Sequence, residues 1–347
     1  MNKKEFRKEL LRGKGSCYYA VSKAPEKYRD MILWACRNNF SYDTQSEGTR
    51  AWFVYTLVGC DDDTTPFINA AAEALRNCSS YGNWKADYLS ELLLYFASDG
   101  SEAARDAVRE KYDELYKMLL MRERFPDGVF NERDFFSRLC ECMADDKYSF
   151  LEIANDIGRL YRNNSLYDGY YFDWLYVTMG KKYIRTLKKL AEKSEDIAWY
   201  VKKSEEYEAE EQRRRAEWKS SGKFKRRTPE EIKEEFLNEY DLDTLDDTVK
   251  SVPVKLRGEH DWHGVHMDVL KMESLGLKAP VASLYHIYDS TYCSCCREHA
   301  LRQLGKRRKL SNEILQECLY DCNEDIRSYA KKLIGRRENI RGDINEK

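Results

Sequence analysis

Two stretches near the C-terminus of this 347-residue chain repeat one pattern at a fixed offset. Arg297, Ala300, Leu304 and Gly305 are matched by Arg327, Ala330, Ile334 and Gly335, each pair thirty residues apart. Self-similarity at such a period signals a supersecondary unit that cannot bury its apolar face alone and stacks on its neighbours. Composition says what kind of unit it is. With 6 Pro and 17 Gly the chain has too few turn residues for a β-rich fold, and Ala, Leu, Glu, Lys and Arg dominate many segments. The expected fold class is all-α.

Apolar residues at 42% suffice for a core, and 35% charged residues predict much solvated helical surface. The 59 basic and 61 acidic residues nearly cancel, which argues against a general nucleic-acid binder. Eleven cysteines, an odd count, show no framework spacing, and the first residues, MNKKEFRKELLRGKGSCYY, contain no apolar stretch of the kind a secretory signal carries. The longest apolar run, Ala51 to Cys60, falls short of the roughly 20 residues that cross a bilayer. These features predict a soluble, cytoplasmic protein with no membrane partner, its cysteines mostly buried thiols.

Along the chain, residues 1–24 predict one short helix with loose ends. Helical periodicity begins at Pro25, with Tyr28, Ile32, Leu33 and Cys36 on one face, and continues through Trp52–Val58 to a helix opened by Thr65-Pro66. Tyr88–Phe96 is followed by the turn Asp99-Gly100-Ser101 and a long helix from Glu102 to about Met121, with Ser101 as cap. Two further helices are expected at 131–144 and 148–162. Residues 163–259 differ in kind: aromatic at first, then highly charged. Here 193–228 read as a long exposed helix and a flexible joint, Thr228-Pro229-Glu230-Glu231 as a capping box, and 241–259 as a loop. Helical pairs return at 260–347.

The residues before each matched arginine extend the pattern. Asp321 lies six before Arg327, and Ile326 precedes it; the same frame fits Asp99, Ala104, Arg105 and Val108, and more loosely Asp63, Ile68, Asn69 and Ala72. Asp289 to Arg297 fits with two extra residues. The unit is thus a helix, a turn whose opening Asp caps the second helix, and that second helix, whose small residues permit close approach. In these positions the chain resembles the HEAT-repeat (armadillo-like) family over roughly half its length. That resemblance implies an α-solenoid of helical hairpins, at 25–162 and 260–347, interrupted by the charged helical insertion. It also implies a structural ladder of turn aspartates and helix arginines: Asp99, Arg105, Asp289, Arg297, Asp321 and Arg327.

Among functional candidates, Tyr170, Tyr171 and Trp174 cluster, as do Trp262, His263 and His266; such aromatics either fill gaps between helices or anchor a partner. Arg213, Arg214 and Arg215 open a basic run that continues to Arg227, suited to phosphate contacts or to pairing with the acidic stretch Glu205–Glu211. His260, His263 and His266 precede Cys293, Cys295 and Cys296 by about thirty residues, residue types that zinc prefers. Histidines at i, i+3 and i+6 spread too far around a helix for all three to ligate, and cysteines at a repeat helix pack as small apolar residues, so packing is the expectation and no metal or cofactor is assigned. Cys293 with His286 or His299 matches no Cys–His catalytic signature, and neither a phosphate-binding loop nor a nucleophile elbow occurs. The expected function is a non-enzymatic scaffold holding a protein or peptide in the solenoid groove. The alternative, a DNA-binding protein resembling HEAT-like alkylpurine DNA glycosylases, requires a basic groove. A structural zinc module at 260–296 is a third reading.

Overall fold

A computed structural model describes residues 1–78, 84–121, 132–144, 146–166, 172, 175–220, 228–255 and 261–345. Among them the regular structure is helical throughout, without a strand. The chain divides into two compact units. The first is built from 1–35, 40–64 and 226–347, so both ends of the sequence contribute to it; the second is built from 36–39 and 65–225.

The first unit opens with α1 (Lys3–Arg12), α2 (Ser16–Lys23), α3 (Pro25–Arg37), the short α4 (Thr44–Glu47) and α5 (Ala51–Val58). The expected single loose helix at the start is in fact two helices, and both are anchored. Asn2 and Glu5 form a capping box on α1, and Phe6, Leu10, Cys17 and Val21 are buried. Gly13, with φ of 72°, ends α1 in the left-handed conformation that favours glycine.

The second unit contains α6 (Thr65–Arg76), α7 (Lys85–Ser98), α8 (Glu102–Met121), α9 (Glu132–Met143), α10 (Lys147–Arg162), α11 (Lys181–Ala191) and α12 (Glu195–Ser220). Helices α6, α7 and α8 pack on one another through Phe67, Ala71, Leu75, Leu89, Leu92, Phe96, Ala104 and Val108. Ser101 Oγ accepts from the Ala104 N–H at the start of α8, the expected cap. Helix α12 is long, as its charge pattern predicts, but only its second half is exposed. Ile197, Tyr200, Val201 and Ser204 are buried in the half that packs on α10 and α11. The approach of α10 to α12 is close enough that a Cβ on Gly158 would sit 1.7 Å from the Asp196 carbonyl oxygen.

The first unit resumes with α13 (Pro229–Glu239), α14 (Leu245–Ser251), α15 (Asp261–Lys271), α16 (Val281–Ser290), α17 (Ser294–Lys306), α18 (Asn312–Cys318) and α19 (Glu324–Asn345). The Thr228–Glu231 capping box forms as expected. The expected loop at 241–259 instead holds α14, because Leu245 and Val249, one turn apart, are both buried. Helix α16 packs on α17, α18 on α19, and α17 on α19. Their shared interior holds Leu284, Ile287, Tyr288, Ala300, Leu304, Leu315, Ile326 and Ala330. Of the small residues in the thirty-residue pattern, Ala300 and Ala330 lie in this interior and Gly305 lies against Tyr329, whereas a Cβ on Gly335 would meet nothing within 4 Å.

The N-terminal helices close over this interior. A Cβ on Gly15 would meet the Glu317 carbonyl oxygen at 1.9 Å, the Cys322 N–H donates to the Gly13 carbonyl at 2.9 Å, and the rings of Tyr18 and Tyr320 stack at 3.6 Å. Buried Lys14 reaches Asp289 at 3.2 Å and Glu317 at 3.4 Å. None of the described helices is long and apolar enough to cross a membrane.

Candidate functional site

The arginines and aspartates singled out by the repeat take unequal parts. Arg297 and Asp321 are both buried, and the guanidinium donates to both carboxylate oxygens, at 2.8 and 2.9 Å. This bidentate pair joins α17 to the turn before α19. Arg327 donates to the carbonyls of Asp321 and Cys322 at 2.9 Å and lies over the Trp52 ring at 3.6 Å. Arg105 donates to the Ala97 carbonyl at 3.2 Å. Asp289 departs from the ladder: it lies inside α16 and pairs with Lys14. The capping role expected of the aspartates also falls elsewhere. Asn323 caps α19 by accepting from the Asp325 and Ile326 N–H groups, and Cys293 caps α17, while at α8 the cap is Ser101, as expected. Asp321 is held by Arg297 instead.

The aromatic candidates divide as well. Tyr170, Tyr171 and Trp174 lie outside the described residues. Trp262 is fully buried, its indole N–H donating to the Lys255 carbonyl at 3.0 Å, so it is a core residue and not a partner anchor. His266 is equally buried, and neither ring nitrogen has a hydrogen-bond partner among the described residues. Burial, reinforced by His286 and His263, lowers its pKa to about 4. Arg213, Arg214 and Arg215 are exposed along α12, where they pair with Glu210 at 2.7 Å, with Glu211, and with Glu211 at 2.9 Å respectively. The rest of the basic run, from 221 to 227, lies outside the described residues.

Two arrangements remain with chemical content. The first is a groove of about 730 Å³ in the second unit. It is lined by α7 (Glu91, Leu94, Tyr95), α8 (Arg105, Asp106, Val108, Arg109), α9 (Met143) and α10 (Glu152, Ile153). Apolar and charged groups both contribute to the lining. Arg109 is already engaged, with Glu152 at 2.8 Å and Asp113 at 3.2 Å. The sequence placed these helices but not the groove, because its lining is drawn from four separate elements.

The second arrangement lies in the first unit, where α15 meets the start of α17. A ring nitrogen of His263 and the Sγ atoms of Cys293 and Cys296 lie within 4.8 Å of one another. Cys293 is the N-cap of α17, and its Sγ accepts from the Cys296 N–H at 3.4 Å. Its own N–H donates to Thr291 Oγ1 at 3.1 Å. Contacts from the Cys295 and Cys296 thiols, with the helix amide, pull the Cys293 thiol far below its ordinary range; Cys295 and Cys296 are pushed up by Cys293 and by burial. The surroundings are built from the N-terminal helices. Glu47, buried beside Arg50 at 3.2 Å, accepts from the Ser294 N–H at 2.9 Å, and Tyr42 packs 5.2 Å from the His263 ring. Desolvation raises Glu47 to about 7. His260 lies outside the described residues.

Compared with known proteins, the chain matches no family model, no curated protein and no solved structure.

Proposed function

We propose that the chain is an α-solenoid of HEAT-like helical pairs, interrupted by the charged helix α12, and that it works as a non-enzymatic scaffold. Its occupant is a protein segment that lays apolar side chains along Leu94, Tyr95, Met143 and Ile153 while its charges meet Glu91, Arg105 and Glu152. The observation that carries this reading is the chemistry of the groove wall. Three carboxylates (Glu91, Asp106, Glu152) and two guanidiniums (Arg105, Arg109) share the lining with apolar Leu94, Tyr95, Val108, Met143 and Ile153. A wall of mixed sign suits a polypeptide, whose charges are mixed and whose apolar residues need cover. A phosphate backbone needs the opposite, a surplus of unengaged cations, so the DNA-binding alternative draws no support from this surface.

Selection of displayed peptides on the purified full chain tests the reading. Enriched peptides are expected to share apolar residues at a helical or extended spacing. Leu94→Asp and Met143→Asp, both at half-buried positions, are expected to abolish their binding while leaving the helical circular-dichroism spectrum unchanged. Enrichment that survives both substitutions, or retention of duplex DNA at low salt with no peptide selected, contradicts it.

A further inference from the structure

We propose that Cys293, Cys296 and His263 hold a zinc ion. Cysteines that merely pack have no reason to converge on one another or on an imidazole. Here two sulfurs and a ring nitrogen, from elements thirty residues apart in sequence, meet within 4.8 Å. The donors are soft thiolates and an imidazole with no carboxylate among them, the set that selects zinc over calcium or magnesium. The spacing Cys293-x-x-Cys296 spans a helix N-terminus, where the Cys296 N–H already points at Cys293 Sγ and the helix end favours negative charge on sulfur.

The groups around the donors have the form of a supporting shell. Thr291 fixes the Cys293 backbone, Glu47 holds the Ser294 N–H, and Tyr42 abuts the His263 ring. Buried His266, one turn along α15 and without a hydrogen-bond partner among the described residues, marks this helix face as one whose imidazoles are not satisfied by packing. Zinc takes the cysteines as thiolates and His263 in its neutral form, so protons compete with the metal and occupancy rises with pH. Its three protein ligands tie α15 to the start of α17, and the fourth position of the tetrahedron falls to water or another small donor.

The test uses the full chain, purified under a thiol reductant without chelator, and reads zinc by elemental analysis. About one zinc per chain is expected. Cobalt substitution is expected to give tetrahedral visible bands with thiolate-to-cobalt charge transfer in the near ultraviolet. Cys293→Ser and His263→Ala are expected to weaken zinc binding by at least about 100-fold, more than the loss of a merely supporting contact. Cys318→Ser, at a buried thiol outside the cluster, is expected to leave binding unchanged. Should the ligand variants fail to fold, the wild-type cobalt spectrum decides alone, since only thiolate ligands produce that charge transfer. Zinc no higher than in buffer after reconstitution, a cobalt spectrum lacking thiolate charge transfer, or a Cys293–Cys296 disulfide formed in place of metal binding overturns the proposal.

Discussion

The Arg297–Asp321 pair shows what the repeated residues do one at a time. Both side chains are out of water, so the pair's worth lies less in net attraction than in the cost of breaking it. Asp321→Ala leaves a guanidinium buried without its countercharge and is expected to cost about 3–5 kcal/mol in urea titration. An arginine serving as a ligand contact would give a far smaller change. Spacing found both residues and the resemblance implied a ladder of such pairs, but the capping role read for Asp321 falls to Asn323. A turn aspartate can cap the helix after it or bond back to the unit before it, and residue order alone does not separate the two. His266 carries a second prediction at this scale. Its folded pKa of about 4 lies below the ordinary 6.5, so the unfolded chain takes up the proton first. Its contribution is therefore fully present above about pH 6.5 and is lost as pH falls through about 4, on the order of 3 kcal/mol. His286 is depressed in the same direction, by burial and then by Lys250. Relative to the wild type, His266→Leu is expected to flatten the decline of the urea midpoint over this acid range. An unchanged slope would show that His266 does not titrate as its burial requires.

Among the elements, those with a strong apolar stripe were legible: α6, α7, α8, α16, α17 and the capping box of α13 stand where periodicity put them. Helices α4 and α14 were not, because they are short and pack on distant parts of the chain, α4 on α17 and α14 on α16. The same limit hid how tightly α10 and α12 meet. Gly158→Ala drives a methyl group into the Asp196 backbone, which cannot move aside as a side-chain tip could. It is expected to cost roughly 1–3 kcal/mol or more, measured by chemical denaturation, as overpacked cores do. If Gly158→Ala is as stable as wild type, α10 and α12 are further apart than described. The exposed half of α12 behaves oppositely. Joint replacement of Arg213, Arg214 and Arg215 by Gln is expected to leave the denaturation midpoint unchanged, since each pairs with a neighbour on its own helix in open water.

For the whole molecule, the sequence announced helices and a repeat, and the all-helical fold agrees. It did not announce that residues 1–35 and 40–64 share a unit with 226–347. The contacts between them, Gly15 on Glu317, Tyr18 on Tyr320, and Arg50 to the Tyr292 carbonyl at 3.0 Å, join positions too far apart for any periodicity to reveal. The thiol–imidazole cluster was hidden for a related reason: its residue types were visible, their convergence was not. The groove was less visible still, since Leu94, Arg105, Met143 and Ile153 are ordinary residues at ordinary helical positions until four helices bring them together. That groove bears the central claim, and the most direct measurement places a photo-crosslinking amino acid at Tyr95 of the full chain, in its native host, and irradiates. The account predicts a discrete protein adduct, mapped by mass spectrometry to one segment of the partner, that disappears when Leu94→Asp is added. No adduct, an adduct to nucleic acid, or one indifferent to Leu94→Asp would contradict it.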